Sequence, residues 1–345
     1  MPLELKVINI RNYPEWDSLI SMQKEYSFFQ SSAWAHVLAD TYNYKPLYFT
    51  LFDRQKLLVL MPFMEVKSFL ASRRGVSLPF SDYCDFINNA SVKTEDIIQF
   101  LINYGEKAKW KYFETRGGTH MPVDLTPAGS FYCHTLNFNG NEDLIFCGFR
   151  DSTQRNIKKS IKENVVIKIS HTWESLQEYY RLHCITRKKH GVPPQPHFFF
   201  KKIFEHIISQ EKGFVALAIY NDIVIAGNIY FCIHKKAYYK FGASDQKYQE
   251  LRATNLIMWE SIRWLLNNGF ESLCFGRTDM NNQGLLQFKR GWGAEEKTIN
   301  YYKYDFNAEI FIKSASQNKY IISLMRYMPV SILKLLGSLS YKHMG

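Results

Sequence analysis

One order of elements is written twice along these 345 residues, and it restricts the fold more than any single motif does. The first pass begins with a strand, LKVINI, and two short helices, PEWDSLISMQ and SSAWAHVLADTY. A hairpin follows: PLYFTLF, a turn at Asp53-Arg54-Gln55, and KLLVLMPFMEV. After the Gly/Pro-containing stretch RRGVSLPFSDYCDF come a long helix, KTEDIIQFLINYGEKAK, and the strands KYFETRG and CHTLNFN. The second pass repeats the order. Strand VVIKI leads to helices TWESLQEYYRLHCITRKKH and HFFFKKIFEHIISQ. The hairpin FVALAIY, Asn221-Asp222, IVIAGNIYFCIH precedes strand AYYKFGAS, helix ATNLIMWESIRWLLNN, strand ESLCFG and a last strand, EKTINYYKYDF. The apolar periods of 2 and 3.6 that mark these elements alternate too closely for an all-helical or all-β chain. The expected class is α/β (α+β), a tandem duplication of one unit with a mixed, mainly antiparallel sheet flanked by helices. The boundary is expected between Asn139 and Asp151, giving domains 1–145 and 146–308 and a tail, 309–345.

Hydrophobic residues at 46% and aromatics at 16% supply two cores and argue against disorder. A formal charge of +11 fits a basic proteome or a polyanionic partner such as nucleic acid, nucleotide phosphates or an anionic membrane. The six cysteines (84, 133, 147, 184, 232, 274) form no CxxC and no Cys/His cluster at zinc spacing, so they read as small hydrophobes in a reducing compartment. The N-terminus carries no charged region followed by an apolar one, and no run reaches the ~20 apolar residues of a membrane span. A cytoplasmic protein is expected. The tail from Asn318 is apolar at helical spacing with Lys319, Arg326, Lys334 and Lys342 among its apolar residues. It either packs on its own domain or lies, through 319–342, on the inner face of an anionic membrane.

Motifs for dinucleotides, P-loops, zinc proteases and serine hydrolases are absent, and no metal is expected. His183 and His190 lie on one helix without a carboxylate and read as packing or surface residues. Three features remain. Arg155, Lys158 and Lys159, with Arg150 and Lys162, cluster on a helix where no acidic residue between Ser152 and Lys162 offers i,i+4 compensation, which suits phosphate contact or a solvated face. The stretch FGASDQKYQELRATN ends a strand, carries Tyr248 and Arg252 in a polar loop and opens a helix near Asn255; free N–H groups there suit an anion or acyl carbonyl. In GLLQFKRGWGAEE, Phe288, Lys289 and Arg290 stand beside a Gly-Trp-Gly turn, and Arg277 precedes them at the end of a buried strand. Both Lys289 and Arg277 fall near the C-terminal edge of one sheet, where α/β proteins place ligands.

These segments, in this order, resemble the FemAB (Fem-type) family of aminoacyl-tRNA-dependent peptidyltransferases and related acetyltransferase-like proteins of GNAT-like fold. The resemblance runs from Phe28 to Tyr304, through FFQSSAWAHVL, RRGVSLPFSDY, RNIKKSIKENVVIKI, FGASDQKYQELRATNLIMWESIRWLLNNGFESLCFGR and GLLQFKRGWG. It implies tandem GNAT-like domains, and an aminoacyl-tRNA or acyl-CoA co-substrate with no further cofactor. It also implies an amine-bearing acceptor such as a peptidoglycan precursor. Lys289 would stabilise charge as the acyl ester is attacked, with Arg155, Lys158, Lys159, Tyr248, Arg252, Asn255, Arg277 and Phe288 binding substrate. An activated ester and an amine held in line need no protein nucleophile, consistent with the missing triad. Two segments depart from the pattern. The opening helix reads Trp34-Ala35-His36 without the family's phosphate-contacting lysine, and Gln249-Glu250-Leu251-Arg252-Ala253-Thr254 lacks the glycines of the CoA loop.

Overall fold

The computed structural model describes residues 5–23, 25–68, 72–89, 92–118, 120–122, 124–313 and 325–345. In chain order its strands are β1 (Lys6–Ile8), β2 (Lys45–Asp53), β3 (Lys56–Ser68), β4 (Ser72–Val76), β5 (Ile87–Asn88), β6 (Tyr112–Arg116), β7 (Gly129–Asn137), β8 (Val166–Ser170), β9 (Gly213–Tyr220), β10 (Ile223–Ile233), β11 (Lys236–Ser244), β12 (Ser272–Asp279), β13 (Glu295–Asp305) and β14 (Ile310–Phe311). Its helices are α1 (Trp16–Ser21), α2 (Ser32–Tyr42), α3 (Thr94–Lys107), α4 (Glu142–Cys147), α5 (Asp151–Lys162), α6 (Trp173–Lys189), α7 (His197–Ile203), α8 (Ala253–Asn267), α9 (Gln283–Arg290) and α10 (Val330–Ser340).

Contacts divide the chain into two compact units: Met1–Phe131 with Thr298–Ser316 and Ser340–Gly345, and Tyr132–Lys297 with Gln317–Leu339. In the first, strands run β1-β2-β3-β4-β6-β13; in the second, β8-β9-β10-β11-β12-β7. Each order is a meander of antiparallel neighbours, one parallel pair (β4 with β6, β11 with β12), and a closing strand. A helix, α3 or α8, bridges each parallel pair, because parallel neighbours need a crossover.

The duplicated order is therefore present, but the closing strands differ from the expected domains 1–145 and 146–308. β7 follows β6 in sequence yet pairs beside β12, and β13 follows β12 yet lies in register with β6, Tyr301 opposite Arg116 and Tyr304 opposite Phe113. Aromatic burial accounts for the second assignment. Tyr302 and Tyr304 are buried with Phe113, Phe63 and Trp110, and Tyr304 stacks on Phe113 at 5.3 Å between centroids. The tail is divided too: α10 as far as Leu339 belongs to the second unit, and residues 340–345 to the first.

Local chemistry explains the elements. The β9–β10 turn holds Asn221 and Asp222 at φ 47° and 60°, the left-handed pair that a two-residue hairpin needs and that Asn and Asp tolerate. α3 opens with Glu95 and Asp96 and ends with Lys107, matching its dipole, and buries Ile97, Ile98 and Leu101. SRRGV, at the start of the Gly/Pro-containing stretch, forms strand β4; Gly75 lies so close to Trp110 that a Cβ would meet its ring. In the second unit, α8 buries Leu256, Ile257, Ile262 and Leu265 against Phe214, Tyr230 and Leu273.

Candidate functional site

The site is built on β11, β12 and the helices that follow them. Parallel pairing of these strands runs from Lys236–Ser272 to Tyr238–Cys274, whereas the strands themselves continue to Ser244 and Asp279. Beyond Tyr238 the two strands part, and the chain turns off β11 through a 3₁₀ stretch, Gln246–Leu251, into α8. Asp245 fixes the turn by accepting from the Lys247 amide at 3.0 Å. A cavity of about 200 Å³ lies here, lined by Ser244, Asp245, Tyr248, Gln249, Ala253 and Thr254 among others. Tyr248 thus faces the cavity, and Asn255 is buried in the first turn of α8. Arg252 holds φ 55°, a conformation glycine adopts more easily, and its guanidinium lies 3.9 Å from Glu250.

Lys289 stands on the other strand's side. Phe288, Lys289 and Arg290 form the last turn of a helix, α9, beside the Gly291–Gly293 turn expected from the sequence; Asn282 caps the helix by accepting from the Leu285 amide at 3.2 Å. The Lys289 ammonium is buried, with 2% of the residue exposed, and donates to the carbonyls of Gly276 (2.8 Å) and Arg277 (3.1 Å) at the end of β12. Gly276 itself sits at φ 71°. Arg277 lends this arrangement its carbonyl, while the residue is exposed. Past the helix, Trp292 is fully buried between Phe149 (5.0 Å) and Phe288 (5.9 Å), and Gly293 turns the chain at φ 67° into β13.

A second set of polar groups adjoins Lys289 and had no signature in the sequence. His134, on β7 and buried, pairs through Nε2 with Glu296 Oε2 at 2.9 Å. Arg290 holds the same carboxylate with two hydrogen bonds of 2.8 and 2.9 Å and lies over the Tyr132 ring. Burial, then the Lys289 charge, lowers the His134 pKa, so the imidazole is neutral near pH 7. Hydrogen bonding from Arg290 lowers that of Glu296. A neutral ring facing a carboxylate donates from Nε2, which leaves a lone pair on Nδ1. That atom is buried without a hydrogen-bond partner, as are Thr278 Oγ1 and Trp292 Nε1. Nothing in CHTLNFN betrays this, because the partner acid lies 162 residues away.

Arg155, Lys158 and Lys159 are exposed on α5, whose buried face is Thr153, Ile157 and Ser160. The first turn of α5, not its cations, meets the α9 corner: the Arg150 amide donates to Gly291 O at 3.0 Å, and a Cβ on Gly291 would clash with Thr153 Oγ1. The structure thus gathers Phe288, Lys289 and the Arg277 backbone, and separately Tyr248 and Asn255 around the α8 N-terminus. The lining of the 200 Å³ cavity does not include Arg155, Arg252 or Lys289.

Known proteins agree with this architecture. Residues 149–290 match the acetyltransferase (GNAT) domain family. A stretch covering 26% of the chain is 28% identical, over 98 residues, to a lipid II:glycine glycyltransferase of Staphylococcus haemolyticus, and spans 23% of that relative's length. Among solved structures, FemX superposes with a TM-score of 0.69 at 13% identity, over 89% of this chain and 98% of FemX. A tandem GNAT protein from the clavulanic acid biosynthesis pathway gives 0.56 at 7% identity, over 88% and 98%. No helix among the described residues is long and apolar enough to cross a membrane. Residues 149–290 are thus similar to the acetyltransferase (GNAT) domain family, and the chain shares its fold with FemX.

Proposed function

We propose that the protein is an acyltransferase of the cell envelope, carrying an activated aminoacyl group from aminoacyl-tRNA to an amine of a peptidoglycan precursor. The observation that carries this reading is the buried Lys289 ammonium fixed at the parted end of β12, in a chain of FemX fold. The segment similar to a lipid II:glycine glycyltransferase supports the acceptor class. The acceptor amine attacks the ester carbonyl, a C–N bond forms, the C–O bond to the donor breaks, and the donor hydroxyl leaves with a proton. A cation already desolvated and held by two carbonyls needs no reorganisation as the oxyanion forms, which is where such a charge contributes most. Tyr248 and Asn255 line or flank the donor side, and the exposed cations Arg155, Lys158 and Lys159 meet the phosphates of the donor. Arg252 at a left-handed position favours this donor over acyl-CoA, because a side chain stands where backbone would have to approach a pyrophosphate. In this reading the enzyme is cytoplasmic and works at the inner face of the membrane, where a lipid-linked acceptor is presented.

The test is transfer of radiolabelled amino acid from charged tRNA to lipid-linked and soluble precursors. Transfer that Lys289→Ala reduces at least ~100-fold supports the assignment. Thermal stabilisation by CoA, with transfer from acyl-CoA alone, would replace the donor. Binding of RNA without transfer from any donor would mark a non-catalytic relative.

A further inference from the structure

The helix α10 and the groove beside it play no part in that chemistry. Leu333 and Gly337 anchor α10 in the second unit; Gly337 packs so closely on the Pro194 carbonyl that a Cβ could not fit. The opposite side is left uncovered. Ile332 (46% exposed), Leu335 (61%) and Leu339 (56%) stand at i, i+3 and i+7, one apolar stripe of an 11-residue helix. Tyr327, just before the helix, is almost wholly exposed. The stripe is continuous, through Leu335, with a groove of about 770 Å³ between α6 and α10, lined by Tyr180, Cys184, Ile185, Pro196 and Val330. An apolar surface of this extent on a lone soluble domain marks an interaction face.

Charge identifies the occupant. From Ile310 onward the sequence holds Lys313, Lys319, Arg326, Lys334 and Lys342 and not one Asp or Glu. Arg326 and Lys334 are both exposed, and the Lys334 ammonium lies 5.4 Å over the Tyr180 ring at the rim of the groove. At this rim Arg181 pairs with Glu178 at 2.9 Å, so that acid is matched by its own cation. Leucines flanked by cations, with a tyrosine at the margin, form a surface for lipid headgroups and the upper acyl region.

We propose that α10 seats the protein on an anionic phospholipid bilayer, with Ile332, Leu335 and Leu339 in the interface and Arg326 and Lys334 at the headgroups. This deepens the placement at the inner membrane face given above. It is tested with no acyl donor or acceptor present, so it stands or fails apart from the transfer reaction. The full chain is sedimented with sucrose-loaded vesicles of phosphatidylcholine alone or with phosphatidylglycerol, at low and high salt. Binding about tenfold tighter to the phosphatidylglycerol vesicles, weakened by salt, is expected. Lys334→Glu should remove that preference. The double variant L335D/L339D should abolish binding with an unchanged Tm, since both side chains are solvent-facing. If that variant does not fold, Leu335→Ser reads the same face. Equal binding to both vesicle types, no binding to either, or binding that ignores both the leucines and Lys334 would overturn the seat.

Discussion

The two units contain the same parallel seam, finished in opposite ways. In the first, β4 and β6 pair at Gly75–Phe113 and Val76–Glu114, and the chain leaving β4 does not let go. The Ser77 amide donates to Glu114 O at 2.8 Å and the Cys84 amide to Arg116 O at 2.6 Å, so the loop continues the ladder. Arg116 reaches back from β6 to the carbonyls of Leu78 and Ser81, 3.4 Å each, with Glu114 on its Nε at 3.0 Å. Leu78 and Phe80 are held at φ 53° and 60°, a costly conformation for side chains of that size. In the second unit the ladder between β11 and β12 stops at Tyr238–Cys274, and the cation that takes up the loose carbonyls comes from a later helix. One seam is closed by its own loop and a guanidinium. The other is left open, with an ammonium and three unpartnered polar atoms in its vicinity. The two units hold equivalent positions, and the open one is where the proposed transfer would take place.

The largest effect is expected on the closed seam. Arg116→Met removes a cation whose side chain is only 14% exposed and strands Glu114 and two carbonyls, so unfolding should cost about 3 kcal/mol less. Urea midpoints measure this; a change below about 1 kcal/mol would show that the backbone ladder alone closes the seam. At the open seam, Lys289→Met leaves the Gly276 and Arg277 carbonyls buried and unsatisfied, for about 2 kcal/mol. Lys289→Gln can still donate and should restore part of that stability without restoring transfer. Full transfer by Lys289→Gln would make the two cations equivalent, both structural, and would break the contrast.

Much of this was readable in the residues, for stated physical reasons. Periods of 2 and 3.6, with Asn221-Asp222 and Arg54-Gln55 as punctuation, place the hairpins and helices, because local sterics decide them. The owners of the closing strands were not readable. β7 and β13 are each attractive to either parallel seam, and only the aromatic packing of Tyr302 and Tyr304 on Phe113 decides. Lys289 could be singled out, but its bonds to Gly276 and Arg277 depend on how β12 ends, and no pattern around FKRGWG reports that. His134 and Glu296 were invisible because a pair so distant in sequence leaves no spacing to recognise.

Acid should separate the units next. His183 in the second unit is buried, bonded to Gln195 Oε1 at 2.8 Å, and burial depresses its pKa from 6.5 to about 3. The unfolded chain therefore binds a proton below pH 6.5 that the native state refuses until about pH 3. Stability is fully present above 6.5 and drains as pH falls through that window, by at most about 1.4 kcal/mol per pH unit. His134 drifts in the same direction. Hydrogen exchange at pH 7 and pH 4.5 should show β9–β11 losing more protection than β2–β4, and His183→Asn should shrink the difference. Equal loss in both units would mean that the histidines do not govern acid sensitivity.

The smallest effect on folding tests whether the open seam has a polyanion to serve. Arg155, Lys158 and Lys159 sit on the exposed side of α5, away from Ile157 and Ser160, so replacing all three by alanine should move stability by less than about 0.5 kcal/mol per residue. Their role appears in salt dependence. Each contact to a single-stranded phosphate contributes about 0.7 to the slope of log K against log salt, so losing three should flatten tRNA binding by about 2. Lys6, Lys45 and Lys56, exposed on strands of the closed unit, provide the control, and their alanine variants should leave the slope unchanged. If both triple variants flatten it equally, the attraction is a property of net charge and not of α5. The contrast between the two seams would then extend only as far as their backbones.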